Sequence, residues 1–255
     1  MSLENDIKIN QLLKNWPAGV VCLTSWLTAN HYSNQLLDKY KKSKWLDSIG
    51  SGAMIRSGDK VSYEGGVYAL QEQLRMNIHP AAKTALAFLG KAHYLELQQS
   101  KAVLMGGEGE KLPAWFKKYD WGLDVQYHKS SFLPSDLGLV DVELKTFSIK
   151  VSGAARALME CLYLAPEKQD LFECYEIMES LTNLRPKALQ ELLENCSSVK
   201  VNRLFLYMAE KAGHAWFKHI NLDSVKLGKG KRQIVSDGVY VTKYQITVPK
   251  ELEKN

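Results

Sequence analysis

The sequence predicts an α+β protein of about two domains, and three observations carry that reading. In the second half, strand-like stretches come first and an unbroken series of helices follows, whereas a doubly wound sheet would alternate the two. At 255 residues the chain is longer than one typical domain and short for three. Its apolar fraction of 45% and charged fraction of 24% are ordinary globular usage, which excludes disordered and collagen-like classes. A chain of this size can bury a sizeable core without metals or disulfides.

From the N-terminus, Asn5 to Asn15 carries apolar residues at Ile7, Ile9, Leu12 and Leu13, a helical spacing that Pro17-Ala18-Gly19 ends. Val20 to Leu23 is a short apolar run, after which Thr24 or Ser25 is placed to cap a helix through Ala29. A break at Asn30-His31 follows, and Ser33 caps a further helix to about Ser43. Leu36, Leu37 and Tyr40 form its inner face and leave Asn34, Gln35, Asp38, Lys39, Lys41 and Lys42 outward. Trp45 to Ile49 alternates as a strand, Gly50-Ser51-Gly52 turns, and Ala53 to Arg56 returns. Two helices, a break, a third helix and a hairpin make the order of a winged helix-turn-helix, whose second helix of the pair enters the major groove. This N-terminal domain is assigned to residues 1–80.

Helices over Glu64 to Met76 and Ala81 to Leu89 lead into a larger mixed α/β C-terminal domain, assigned to residues 81–255. Ala102 to Met105 reads as a strand, Gly106-Gly107-Glu108-Gly109 as a tight turn, and Pro113 opens a short helix. Leu123 to Tyr127 and Val140 to Val151 alternate as strands. Helices follow over Ala154 to Leu164, Lys168 to Leu181, Pro186 to Asn195 and Val199 to Ala212. Basic Lys226 to Arg232 precedes a final strand-like run from Tyr240 to Val248.

No apolar run approaches the roughly 18 residues of a membrane span, so no membrane partner is expected. Met1 to Lys14 has no signal-peptide core, and Cys22, Cys161, Cys174 and Cys196 are scattered in apolar surroundings. Reduced thiols in a cytoplasmic protein are the expectation. Net charge is +5 but unevenly spread. Residues 31–60 hold six bases against three acids, residues 198–245 nine against three, and residues 151–197 four against eight. Two basic regions flanking an acidic one imply polyanion contact from particular surfaces.

The Ser33-capped helix is the most informative segment. Asn34, Gln35 and Asp38 stand where a recognition helix meets base edges, and Lys39, Lys41, Lys42 and Lys44 where phosphates run. Arg56 and Lys60, at the hairpin's end, add to the phosphate set. A second basic surface is expected from Lys226, Lys229, Lys231 and Arg232 in a glycine-containing loop, with Arg203, Lys211 and Lys218. Asp124 with Glu143-Leu144-Lys145 has the acid…ExK form of metal-dependent nucleases, in which two carboxylates hold a divalent ion. The same alternation is also the solvent face of a half-buried strand. The six histidines show no metal-ligand spacing, and the glycine turn is not a phosphate loop, so no metal or cofactor is expected.

With these residues in view, the chain resembles the AbiEi family, the antitoxin and transcriptional-regulator half of type IV abortive-infection toxin–antitoxin systems. The resemblance runs from about Ile9 to Pro249. It rests on Pro17-Ala18-Gly19-Val20, Trp26-Leu27, the stretch from Ser33 to Leu46, Ile49 to Ala53, Lys83 to Leu86, Gly90 and His93-Tyr94. Ser152-Gly153-Ala154, His214 to Phe217, Leu227 to Arg232 and Lys243 to Pro249 continue it. No single stretch carries the resemblance; their order does. Lys44 stands where the family pattern has a glycine, so lysine must adopt the backbone angle glycine supplies, and Met54 replaces an aromatic of the wing.

The resemblance implies a winged helix that binds inverted repeats upstream of its own operon in duplex DNA and represses it. It also implies a C-terminal domain acting against a nucleotidyltransferase-like toxin, without requiring a tight complex, and no catalytic residues. Two alternatives stay open on the residues alone: a nuclease using Asp124, Glu143 and Lys145, and a winged helix serving as a protein-interaction module.

Overall fold

The computed structural model describes residues 3–90 and 100–253, so His93-Tyr94 of the family-like pattern lies outside the described residues. The first elements in chain order are α1 (Leu3–Asn15), β1 (Cys22–Leu23), α2 (Thr24–Ala29), α3 (Asn34–Lys42), β2 (Leu46–Gly50), β3 (Ala53–Arg56) and α4 (Tyr63–Tyr68). Then come β4 (His79–Pro80), α5 (Ala82–Phe88), β5 (Lys101–Gly106), α6 (Ala114–Lys118), β6 (Asp124–Lys129), β7 (Leu139–Glu143) and β8 (Ser148–Ser152). The chain continues through α7 (Ala154–Leu164), α8 (Leu171–Ser180), α9 (Pro186–Asn195), α10 (Val199–Lys211), β9 (Arg232–Gln233), β10 (Gly238–Val241), β11 (Ile246–Pro249) and α11 (Lys250–Glu253). The class is α+β, with an N-terminal and a C-terminal part. By contact the residues divide into two compact units. One comprises Met1–His79, Gln98–Lys129 and Asp141–Lys150; the other comprises Pro80–Leu97, Ser130–Val140 and Val151–Asn255.

In the first unit α1, α2 and α3 close over Ile9, Leu12, Trp16, Leu27, Leu36, Leu37 and Tyr40, with Leu46 and Met54 from the hairpin beneath them. Met54 is a core residue, 3% exposed, so its departure from the family pattern concerns packing and not the outer surface of the wing. β2 and β3 pair antiparallel from Leu46↔Arg56, and β1 joins β3 through Cys22↔Met54. The other edge of β1 is taken by the Gln73 amide, which accepts from the Leu23 N–H and donates to the Val21 carbonyl, both at 2.8 Å. Gln73 ends a π-helical segment, Ala69–Gln73, where the sequence predicts one continuous helix to Met76. The widened turn, with the Leu74 N–H donating to the Ala69 carbonyl, aims both glutamines at backbone. Gln71 donates to the Ile78 and Lys150 carbonyls and accepts from the Lys150 N–H. β5 and β6 run parallel, from Lys101↔Asp124 to Gly106↔Lys129.

In the second unit α5 and α10 pack on α7. Glu160 is fully buried on α7 and accepts from Arg156 Nε (2.9 Å), Ser152 Oγ (2.8 Å) and the Ala82 N–H (2.9 Å). This satisfies the charge in the way a buried carboxylate requires. β10 pairs antiparallel with β11, which pairs parallel with β9. Two runs read as single strands are therefore hairpins. Val140 to Val151, of which Asp141–Lys150 belongs to the first unit, holds β7 and β8, closed by the Leu144 N–H on the Phe147 carbonyl at 2.8 Å. Tyr240 to Val248 turns over residues 242–245, with Gln245 at φ 53°.

Candidate nucleic-acid interface

α2 and α3 form the helix-turn-helix, and their ends explain its geometry. The sequence predicts a Thr24 or Ser25 cap for α2, but Leu23 is the N-cap residue and makes no side-chain cap. The Thr24 N–H donates instead to the Gly52 carbonyl at 2.9 Å, so the turn between β2 and β3 closes the helix end. α3 begins as expected, with Ser33 Oγ accepting from the Leu36 N–H at 3.3 Å. Both helices finish in the same motif. The Tyr32 and His31 N–H groups return to the Leu27 and Thr28 carbonyls, and those of Trp45 and Lys44 to the Tyr40 and Lys41 carbonyls. The left-handed residue is His31 (φ 68°) in the first case and Lys44 (φ 55°) in the second. Lys44 thus adopts the angle that a glycine would supply without strain.

Leu36, Leu37 and Tyr40 are buried, and Ser33, Asn34, Gln35, Asp38, Lys39, Lys41 and Lys42 are exposed, so the structure groups these seven on one helix. Asp38 pairs with Lys41 at 2.7 Å, one helical turn on. Lys41 holds the Asp38 carboxyl below the ordinary carboxylate range, first by its hydrogen bond and then by its charge. Lys60 is exposed beyond β3. Arg56 is placed differently: half-buried, its Nη2 donates to the Leu13 carbonyl at the end of α1, so it braces α1 against the hairpin. Trp45, 42% exposed directly after α3, is an apolar group on this side that the strand reading did not single out.

In the second unit, Lys226, Lys229, Lys231, Arg232 and Lys218 are exposed. Lys231 Nζ stands 5.1 Å from the centroid of the Tyr240 ring. Lys211 is half-buried over Tyr175, with 5.8 Å to the ring centroid. Arg203 is not part of that surface. It is 2% exposed, and its guanidinium donates to the Leu227 (2.6 Å), Gly230 (2.7 Å), Gln245 (3.1 Å) and Gly228 (3.2 Å) carbonyls. Beside it Asn202 Nδ2 donates to the Lys226 carbonyl at 3.3 Å. The loop's shape is therefore imposed from inside, and its exposed side chains carry the charge. The signal in the sequence is a polar Asn202-Arg203 pair within the otherwise apolar run Val201 to Ala209.

The nuclease set is not drawn into one sheet. Asp124 lies on β6 in the sheet β4-β5-β6, and Glu143 on β7 in the separate pair β7-β8. The Asp124 carboxylate accepts from its neighbour Gln126 at 2.9 Å. Among the described residues no three His, Cys, Asp or Glu side chains are grouped to hold a metal ion. Nor is any helix among them long and apolar enough to cross a membrane.

A helix-turn-helix with a hairpin wing and a lysine-rich outer helix face is the architecture of the winged-helix class, to which many transcriptional regulators belong. Two family models match in succession: "Transcriptional regulator, AbiEi antitoxin N-terminal domain" over residues 5–97, and "Transcriptional regulator, AbiEi antitoxin, Type IV TA system" over residues 99–249. The chain belongs to the AbiEi family of antitoxins and transcriptional regulators of type IV toxin–antitoxin systems. Among solved structures it is similar to the crystal structure of the RV2827C protein from Mycobacterium tuberculosis. The TM-score is 0.59 at 12% identity, over 96% of this chain and 91% of that one, a likeness of fold. No curated protein matches the chain.

Proposed function

We propose that this protein is a non-enzymatic, cytoplasmic autorepressor and antitoxin that binds inverted repeats in duplex DNA upstream of its own operon. It would counteract a nucleotidyltransferase-like toxin. The observation that carries the DNA-binding half is α3, which buries Leu36, Leu37 and Tyr40 and presents Asn34, Gln35 and Asp38 ahead of Lys39, Lys41 and Lys42. In this reading the first three meet base edges. Ser33 holds the helix start, and the lysines with Lys60 meet phosphates. In this reading Arg56, placed with the phosphate set by the sequence, supports the fold of the wing instead, through its Nη2 on the Leu13 carbonyl.

The C-terminal basic surface, with Lys218, Lys226, Lys229, Lys231 and Arg232 exposed and Lys211 at its margin, serves a polyanion or an acidic partner. Arg203 shapes its loop. Antitoxin action by this part requires no stable complex with the toxin. The test is fluorescence anisotropy of the full chain with duplex from its own upstream region and with scrambled duplex, over a salt series. Tighter binding to the former with a steep salt dependence supports the reading; equal, salt-insensitive binding refutes it.

A further inference from the structure

Within the first unit, α6 packs against the wing strand β2 although more than sixty residues separate them in sequence. Pro113 precedes the helix, and Trp115 and Phe116 are buried. Both rings pack on Trp121, with centroids at 6.5 Å and 4.9 Å. The approach to the wing is close: a Cβ on Gly50, at the end of β2, would stand 2.8 Å from the Trp115 Cβ. On the other side, a Cβ on Gly66 of α4 would stand 2.7 Å from the rings of Phe116 and Trp121. α6 is therefore wedged between the turn of the wing and α4.

With Trp115 and Phe116 turned inward, the next two residues, Lys117 and Lys118, fall on the outer face and are exposed. They stand within about 5 Å, along the helix axis, of the residue that touches the wing. Lys111, just before the helix, is exposed too. Neither Lys117 nor Lys118 is in an ion pair among the described residues, whereas Lys41 of α3 is held by Asp38. The nearest acid in sequence, Asp120, has its Oδ1 engaged by the Gly122 N–H at 2.9 Å.

We propose that Lys117 and Lys118 extend the duplex-binding surface from α3 and the wing, meeting DNA phosphates on the wing side of the site. The inference rests on the DNA-binding reading above and adds residues from the part of the chain matched by the second family model. Two adjacent unpaired ammonium groups beside a wing, with no amide side chain at their positions, suit the backbone of the duplex and not its base edges.

The experiment is the same anisotropy series with the full-length K117Q/K118Q double variant, next to a K187Q/K250Q control of equal charge change in the second unit. Losing two phosphate contacts removes about 1.8 from the magnitude of the log–log salt slope, which at 0.15 M salt is about a 30-fold weaker affinity for any duplex. The expected result is that loss for K117Q/K118Q with the preference for the upstream sequence retained, and a near wild-type curve for the control. Wild-type affinity and slope in K117Q/K118Q overturn the inference and leave the DNA-binding reading intact. An equal loss in the control overturns it as well, because the effect is then one of net charge. If the wild type itself shows neither preference nor salt dependence, the DNA-binding reading fails first and the inference falls with it.

Discussion

Replacing Arg203 tests whether the basic loop of the second unit is built from within. In Arg203→Met the side chain keeps much of its apolar stem but loses the guanidinium, which is 2% exposed and serves the Leu227, Gly228, Gly230 and Gln245 carbonyls. A hydrogen bond to a charged group contributes about 1.5–3 kcal/mol net, and acceptors left buried without a partner add a penalty of about 1–3 kcal/mol each. These terms are not additive, because the loop relaxes towards water once released. The net loss expected is therefore about 3–5 kcal/mol, the range for breaking a buried charged network. Arg203→Lys should recover less than half of it, since one ammonium cannot span four carbonyls. Urea unfolding followed by circular dichroism gives the stability, and amide hydrogen exchange over residues 226–232 gives the local order. The expectation is a lower midpoint together with faster exchange in the loop. A loss under about 1 kcal/mol with unchanged exchange would refute the argument that Arg203 shapes this surface.

In the first unit, charge reversal at Lys39 and Lys42 should weaken binding to every duplex, whereas Gln35→Ala should relax discrimination at one base pair by about 1–3 kcal/mol. A competition assay with single-base operator variants separates the two effects, and the same response from both variants contradicts the roles given to them. Lys44→Gly should raise stability by about 0.5 kcal/mol, a melting temperature about 1–2 °C higher, because glycine takes φ 55° without strain. It should at the same time weaken DNA binding through the lost charge. Burial pushes the Cys22 thiol up to about 12 and Cys196 to about 11, and raises Cys161 and Cys174 well above the ordinary thiol range. At pH 8 the native protein should thus leave all four thiols unreacted with a chromogenic disulfide reagent, and the unfolded chain should titrate four. Because these folded-state values lie above the unfolded one, the stability they contribute is complete below about pH 9 and is lost as pH rises through 11–12. Thermal melts between pH 8 and pH 11 check the sign.

What was legible in the sequence was local. The spacing of Leu36, Leu37 and Tyr40, the Ser33 cap and the glycine turn at Gly50 to Gly52 each depend on residues within a few positions, and all three appear in place. Helices α7 and α9 have the bounds the sequence predicts. The strands read as merged are those whose turns lack glycine and proline. Leu144-Lys145-Thr146-Phe147 continues the alternation of its neighbours, so the hairpin β7–β8 reads as one strand. Gln245 makes its turn with a non-glycine residue at positive φ, and β10 and β11 are merged for the same reason. Other features depend on distant partners. The carbonyls that Arg203 serves lie 24 to 42 residues away, and Gln71 meets Lys150 across 79. Burial of an arginine follows from such partners, and residue type alone assigned it to the surface.

The helix-turn-helix shows a local rule broken twice in one place. Residues His31 and Lys44 both occupy the left-handed position that ends a helix, the position where glycine is favoured, and they stand on either side of α3. A non-glycine residue there costs about 1 kcal/mol, of which glycine's greater loss of chain entropy on folding would take back about half, leaving the net gain of about 0.5 kcal/mol expected of Lys44→Gly. Fold stability alone would favour glycine at both. A lysine at the end of α3, next to Lys41, Lys42 and exposed Trp45, is what a DNA-facing helix would retain at that cost. The opposed effects expected of Lys44→Gly on stability and on affinity make this a measurable trade. A variant that gained stability and kept full affinity would show that the strain at Lys44 serves no binding role.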